Sequence, residues 1–167
     1  IPLPPPRRPR ARVDPDGPAE VADLRAGGWQ TSVGTELHGR TLGIVGLGHI
    51  GSQMARYAQA FGMTVLAWST NLDPARAREL GVEPVAKERL FAESDIVTLH
   101  LVLSERSRGV VGSAELAALG PRGLLVNTSR GPLVDEAALV AALSSGTLGA
   151  AALDVFEDEP EIPAALR

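Results

Sequence analysis

The sequence predicts an α/β chain built on a doubly wound, open parallel sheet, and three observations carry that prediction. From Thr41 onward, short β-branched or leucine-rich runs alternate with longer alanine-rich segments of helical period, as repeated βα units do. Runs such as Leu42-Gly43-Ile44-Val45 and Leu124-Leu125-Val126 are continuously apolar. They predict strands buried on both faces, as a parallel sheet covered by helices requires. A glycine-rich stretch from Gly46 to Gly51 joins the first of these runs to the first long helical segment. Right-handed crossovers between such units produce an open, doubly wound sheet.

Taken in order, residues 1–17 are expected to form a Pro/Arg-rich, disordered tail and residues 18–167 one domain. The stretch from Ile1 to Arg12 is dominated by proline and arginine, which suit neither a helix interior nor a central strand. A polyproline ligand is the functional reading of that run, and a loosely attached tail is the simpler one. Pro18 to Ala26 predicts a short helix ended by Gly27-Gly28, with Trp29 directly after it. Strands are predicted at Thr41–Gly46, Thr64–Trp68, Val82–Val85, Asp95–His100, Gly123–Thr128 and Ala150–Val155. Helices are predicted at Ile50–Phe61, Pro74–Leu80, Lys87–Ala92, Ser113–Leu119 and Asp135–Ser144. Pro74 suits a first helical position, and Gly62, Gly81, Gly120 and Gly146 stand where helices should stop.

Bulk composition narrows the partners. A net charge of -4 without a basic stripe argues against nucleic acid, because phosphate backbones need clustered Lys and Arg. No apolar run is long enough to span a bilayer, and the absence of cysteine removes disulfides and thiolate metal sites. The expectation is a soluble, cytoplasmic chain that binds a small molecule, no membrane and no metal.

Gly46-Leu47-Gly48-His49-Ile50-Gly51 fits the pattern GxGxxG in a strand-turn-helix context, where the pattern has a mechanism. Gly46 permits the tight turn, Gly48 lets backbone approach a pyrophosphate, and Gly51 lets helix and strand pack closely. The phosphates then meet unpaired N–H groups at a helix N-terminus. At the end of the second strand, where a carboxylate would select NAD by bonding the ribose hydroxyls, stand Ser69, Thr70 and Asn71. NADP is therefore open alongside NAD, with Arg76 and Arg78 as phosphate partners if their loop folds back.

Ligands of open α/β sheets bind beyond the carboxyl ends of the strands, and three predicted strands end in polar groups there. Arg130, between Ser129 and Gly131, suits either a carboxylate clamp or a structural salt bridge. Asp154 interrupts an apolar run, where an unpaired charge is costly, or else caps a turn. Glu159, in an acidic run before Pro160, reads by itself as a solvated carboxylate. His100 reads as a hydrogen-bonded structural histidine, and His38 and His49 as peripheral.

Together, Gly46–Gly51, Val126-Asn127-Thr128-Ser129-Arg130-Gly131, Val134-Asp135-Glu136 and Ala152-Leu153-Asp154-Val155-Phe156 resemble the D-isomer-specific 2-hydroxyacid dehydrogenases, which include phosphoglycerate and glyoxylate/hydroxypyruvate reductases. The resemblance runs from about Gly27 to Pro160 and implies a Rossmann fold binding NAD or NADP. It implies that Arg130 holds the substrate carboxylate and polarises the carbonyl, that Glu159 pairs with a catalytic histidine, and that Asp154 orients the nicotinamide carboxamide. Cofactor contacts are implied at His49, Ile50, Val102, Thr128 and Ser129. That family's histidine lies in a Pro-His pair on a later segment, and none of His38, His49 and His100 matches it. The expectation is a cofactor-binding half, truncated at both ends relative to the family, with its substrate domain missing. A truncated or out-of-frame gene and an excised domain are the two explanations considered.

The implied reaction passes hydride between the nicotinamide and a small 2-hydroxy or 2-oxo acid, glyoxylate or hydroxypyruvate being the substrate guess. The alternative is a non-catalytic module that senses NAD(H) or dimerises, like dehydrogenase-related corepressors. A methyltransferase of related topology leaves Arg130 and Glu159 without jobs. A homodimer is implied by the family, and exposed apolar surface is expected around Trp29.

Overall fold

The computed structural model describes residues 12–13, 17–29 and 34–166. Of the tail expected over residues 1–17, residues 1–11 and 14–16 lie outside them. Arg12–Val13 (β1) pairs antiparallel with Thr35–Glu36 (β2), a two-residue ladder that no periodicity announced, so Arg12 is part of a strand rather than the tail. Between them Gly17–Arg25 forms α1, one residue earlier at each end than expected.

The body follows the predicted alternation: Thr41–Val45 (β3), His49–Ala60 (α2), Thr64–Trp68 (β4), Pro74–Glu79 (α3), Glu83–Pro84 (β5), Lys87–Glu93 (α4), Ile96–Leu99 (β6), Ser113–Leu119 (α5), Leu124–Asn127 (β7), Glu136–Ser144 (α6) and Ala150–Leu153 (β8). Short 3-10 turns at Gly131–Leu133 and Ala164–Leu166 were not expected. The six body strands form one parallel sheet in the order β5-β4-β3-β6-β7-β8. The chain runs outward from β3 to β5, then crosses back to β6 on the other side of β3. Strand order therefore reverses between β3 and β6, the place where open α/β sheets bind ligands.

Local chemistry accounts for the boundaries. Pro74 opens α3 while the carboxylate of Asp73 accepts the Ala75 N–H at 2.9 Å. Asp135 caps α6 by accepting from Ala138 N at 3.0 Å, so it precedes the helix it was expected to begin. Gly62, Gly81, Gly120 and Gly146 all take the left-handed φ that ends a helix without a Cβ penalty. The strand expected at Val82–Val85 shrinks to Glu83–Pro84, since Pro84 has no N–H for a ladder.

Two cores form because successive strand residues face opposite ways. Leu42, Ile44, Val65 and Ala67 pack with Ala55 and Ala58 of α2 and Ala77 of α3. On the other face Val45, Leu66, Val97, Leu99 and Leu125 pack with Leu90, Phe91, Leu116 and Leu139 from α4, α5 and α6. Leu90 and Phe91 are fully buried, and each such side chain contributes about 1.5–3 kcal/mol of transfer free energy. The expectation of burial on both faces holds for β3. It fails for β7, where Leu125 is buried but Leu124 and Val126 are half-buried, and Ala152 of the neighbouring edge strand is exposed.

One ion pair ties the second core together. Lys87 Nζ lies 2.8 Å from Glu115 Oε1, with both side chains largely buried, and Glu115 Oε2 accepts the Gly112 N–H that precedes α5. Burial alone would push the Glu115 carboxyl up, but bonds from Lys87 and the backbone outweigh it and hold it below the usual carboxylate range. A depressed carboxyl stabilises the fold above its ordinary value near 4.5 and loses that contribution as pH falls through the folded value. Lys87→Met is thus expected to cost about 1–2 kcal/mol at pH 7, and clearly less near pH 4. Urea melts at the two pH values check this.

Candidate functional site

The carboxyl ends of β3, β4, β6, β7 and β8 bring the polar clusters to one edge. After β3 the backbone turns sharply: Gly46 N donates to Trp68 O at 2.8 Å, and Gly46 has φ +102°. A Cβ there would meet His100 O at 2.7 Å, so only glycine lets the turn pass against the end of β6. Gly51 is buried against the Gly46 carbonyl, with no room for a Cβ. A Cβ on Gly48 would meet nothing within 4 Å, so the backbone there faces open space. Helix α2 begins at His49 with no side-chain cap and no acidic residue in its first turn. Its leading N–H groups and positive dipole end face that space without a competing anion, an arrangement that suits a phosphate group.

Two clefts flank this helix start and share His100, Leu101 and Val102. The first, of about 530 Å³, lies between the glycine turn, the segment from Ser69 to Asp73 and the loop after β6, which contributes Arg106 and Ser107. The second, of about 250 Å³, lies between Ile50 and the Thr128-Ser129-Arg130 segment. Ile50 and Val102 are 63% and 86% exposed, a pair of apolar side chains standing in solvent where the clefts meet.

Asn127 organises the second cleft. Its side chain is 1% exposed, donates through Nδ2 to Arg130 O at 2.9 Å and accepts through Oδ1 from Ser129 N at 3.1 Å. Ser129 Oγ donates to Leu101 O at 2.9 Å, locking this loop to the one after β6. The Arg130 guanidinium bonds only the Ser129 carbonyl and makes no ion pair among the described residues, so the salt-bridge alternative fails. An exposed planar cation on a pinned loop is suited to a bidentate carboxylate.

Asp154 lies on the same edge, its N–H donating to Asn127 O at 3.0 Å, but its side chain is exposed. The expectation of a costly buried charge is corrected, because β8 ends at Leu153 and the carboxylate stands in solvent. Glu159 is also exposed and accepts the Phe156 N–H at 3.1 Å. Asp154, Glu159 and His49 lie outside the linings of the two clefts. Arg76 does line the first cleft, whereas Arg78 does not.

His100 was expected to be structural, and its Nε2 does hydrogen-bond Thr98 Oγ1 at 3.1 Å. It also lines both clefts. Burial holds its imidazole below the ordinary histidine range near 6.5. The folded chain binds that proton less readily than the unfolded one, so stability is full above 6.5 and falls as the solution acidifies toward the folded value. His100→Gln is expected to flatten this part of the stability profile, as thermal melts between pH 7.5 and 5 would register. Sequence reasoning missed Arg106 and the orienting role of Asn127. The signal for Asn127 was available, as an amide ending an apolar strand just before a polar loop.

Among the described residues no group of His, Asp and Glu could hold a metal, and no helix is long and apolar enough to cross a membrane. Comparison with known proteins gives concordant matches. Residues 18–166 match the family model described as D-isomer specific 2-hydroxyacid dehydrogenase, NAD binding domain. The chain is 46% identical over 138 residues to a glyoxylate reductase of Aeropyrum pernix, covering 81% of this chain and 41% of that protein. It is 40% identical over 146 residues to a D-3-phosphoglycerate dehydrogenase of Methanocaldococcus jannaschii, covering 86% and 28% respectively. The crystal structure of a glyoxylate reductase from Paecilomyes thermophila superposes with a TM-score of 0.80 at 40% identity, over 88% of this chain and 45% of that one. The chain spans less than half the length of these relatives.

Proposed function

Because the chain belongs to the D-isomer specific 2-hydroxyacid dehydrogenase family as its NAD-binding domain, we propose that it holds NAD(P) for hydride transfer with a small D-2-hydroxy or 2-oxo acid. The observation that carries this reading is the uncapped start of α2 at the reversal of strand order, with a cleft on either side. The amides from Gly48 to Ile50 would hold the pyrophosphate, the larger cleft the adenosine half, and Val102, Thr128 and Ser129 the nicotinamide half. Bound there, the nicotinamide supplies or accepts the hydride.

The chain's own residues bind and orient. Arg130 clamps the substrate carboxylate, and Asp154 fixes the carboxamide of the nicotinamide from the end of β8. Ile50 and Val102 exclude water from the reacting face. Glu159 raises the pKa of, and orients, an imidazole that carries the hydroxyl proton. We assign that duty to none of the three histidines, a reading supported by His38 lying beside Gly62, His49 beginning α2 and His100 bonding Thr98. The chain alone is therefore expected to bind cofactor with little or no turnover. Val21, Leu24 and Trp29, the last 80% exposed, are apolar side chains that a homodimer would bury.

Calorimetry with reduced and oxidised nucleotides, run beside absorbance assays on glyoxylate and hydroxypyruvate, tests the reading. Heat without turnover is expected. No heat from a folded sample rejects the cofactor site, and turnover rejects the inference about the imidazole.

A further inference from the structure

We propose that the larger cleft selects NADP(H) over NAD(H), with Ser69 and Thr70 hydroxyls and the guanidinium groups of Arg76 and Arg106 receiving the 2′-phosphate. The proposal rests on the reading of this cleft as the adenosine site. Where β4 ends, a carboxylate would accept from the ribose hydroxyls and repel a 2′-phosphate. The half-buried Ser69 and exposed Thr70 stand there instead, and both can donate to phosphate oxygens without charge repulsion.

The charges around the cleft favour a dianion. Its lining holds two arginines against one carboxylate, Asp73, whose Oδ1 is already engaged by the Ala75 N–H at the start of α3. Arg76 pairs with Glu79 at 2.9 Å, but both side chains are nearly two-thirds exposed, so that pair is weak and its cation can turn to a phosphate. Arg106 makes no ion pair among the described residues. It comes from the opposite wall, on a loop held rigid by Ser107: the Ser107 hydroxyl donates to Val102 O and accepts from Ser104 N, both at 2.8 Å. With an arginine on each wall, the cleft offers a phosphate charge-assisted bonds from both sides. Arg76, one of the two phosphate partners expected from the sequence, is thus joined not by Arg78 but by Arg106, which is distant in sequence.

Calorimetric titration of the full chain with adenosine 5′-monophosphate, adenosine 2′,5′-bisphosphate, NADH and NADPH tests this. The 2′-phosphorylated member of each pair is expected to bind about tenfold tighter or more, the scale of one charge-assisted bond. Arg76→Ala and Arg106→Ala should each shrink the NADPH-to-NADH affinity ratio several-fold, and Ser69→Asp should invert it. Equal or tighter binding of NADH overturns the proposal, as do arginine variants that weaken both nucleotides alike, since a merely structural role acts on both. Absence of heat with all four ligands on a folded sample instead rejects the dinucleotide site itself.

Discussion

A chain carrying Gly131→Ala is expected to melt about 6–12 °C below the parent, the consequence of roughly 3 kcal/mol lost in a chain of this size. The reason is space and not torsion. A Cβ at Gly131 would fall onto the carbonyl of Phe156 and lie 2.6 Å from Glu157 N, so every atom it meets is backbone. A flexible side chain could swing away, but this contact is relieved only if the turn at Gly131–Leu133 and the loop after β8 move apart. That separation strains the bond from Asn127 Nδ2 to Arg130 O and the one from Asp154 N to Asn127 O. The Arg130 and Asp154 loops would then lose their common anchor. Thermal melts supply the measurement, and a Gly131→Ala chain within about 1 kcal/mol of the parent would show that the two loops do not meet this way.

That contact also marks the limit of what the sequence conveys. Boundaries with a local chemical cause were legible: Gly62 and Gly120 end helices by their own φ, and β4 and α5 fall where expected. The doubly wound parallel architecture followed from chirality and the run of βα units, and the glycine turn from its position after the first strand of the sheet, whereas the order of the strands came only with the structure. What escaped depends on segments far apart in the chain. The β1–β2 ladder is two residues deep and has no period to read. Asp154 looked buried because apolar residues surround it in sequence, yet β8 is an edge strand and its end faces solvent. Arg106 belongs to the larger cleft only because Ser107 folds its loop back onto Val102. Loops set by tertiary hydrogen bonds carry no periodic signature, and those loops supply most of the site.

Gly51 and Gly48 lie in the same turn, and replacing each by alanine is expected to separate folding from binding. Gly51→Ala places a methyl against the Gly46 carbonyl and 3.2 Å from Ile44 Cγ2, at a position where the strand and helix backbones pass closest. The helix must back away from β3, at a cost of about 2–3 kcal/mol. Its leading amides move with it, so affinity for NADPH or NADH should fall by about tenfold or more. Gly48→Ala meets nothing within 4 Å in the protein, and as a helix cap it should cost under about 1 kcal/mol. Its methyl does, however, project into the space proposed for the pyrophosphate, so affinity should drop as far as with Gly51→Ala while the melting curve barely moves. Chemical denaturation and nucleotide titration on both variants read the two quantities independently. If Gly48→Ala binds nucleotide as the parent does, the open space above that glycine is not the seat of the phosphates, and the amides at the start of α2 serve the fold alone.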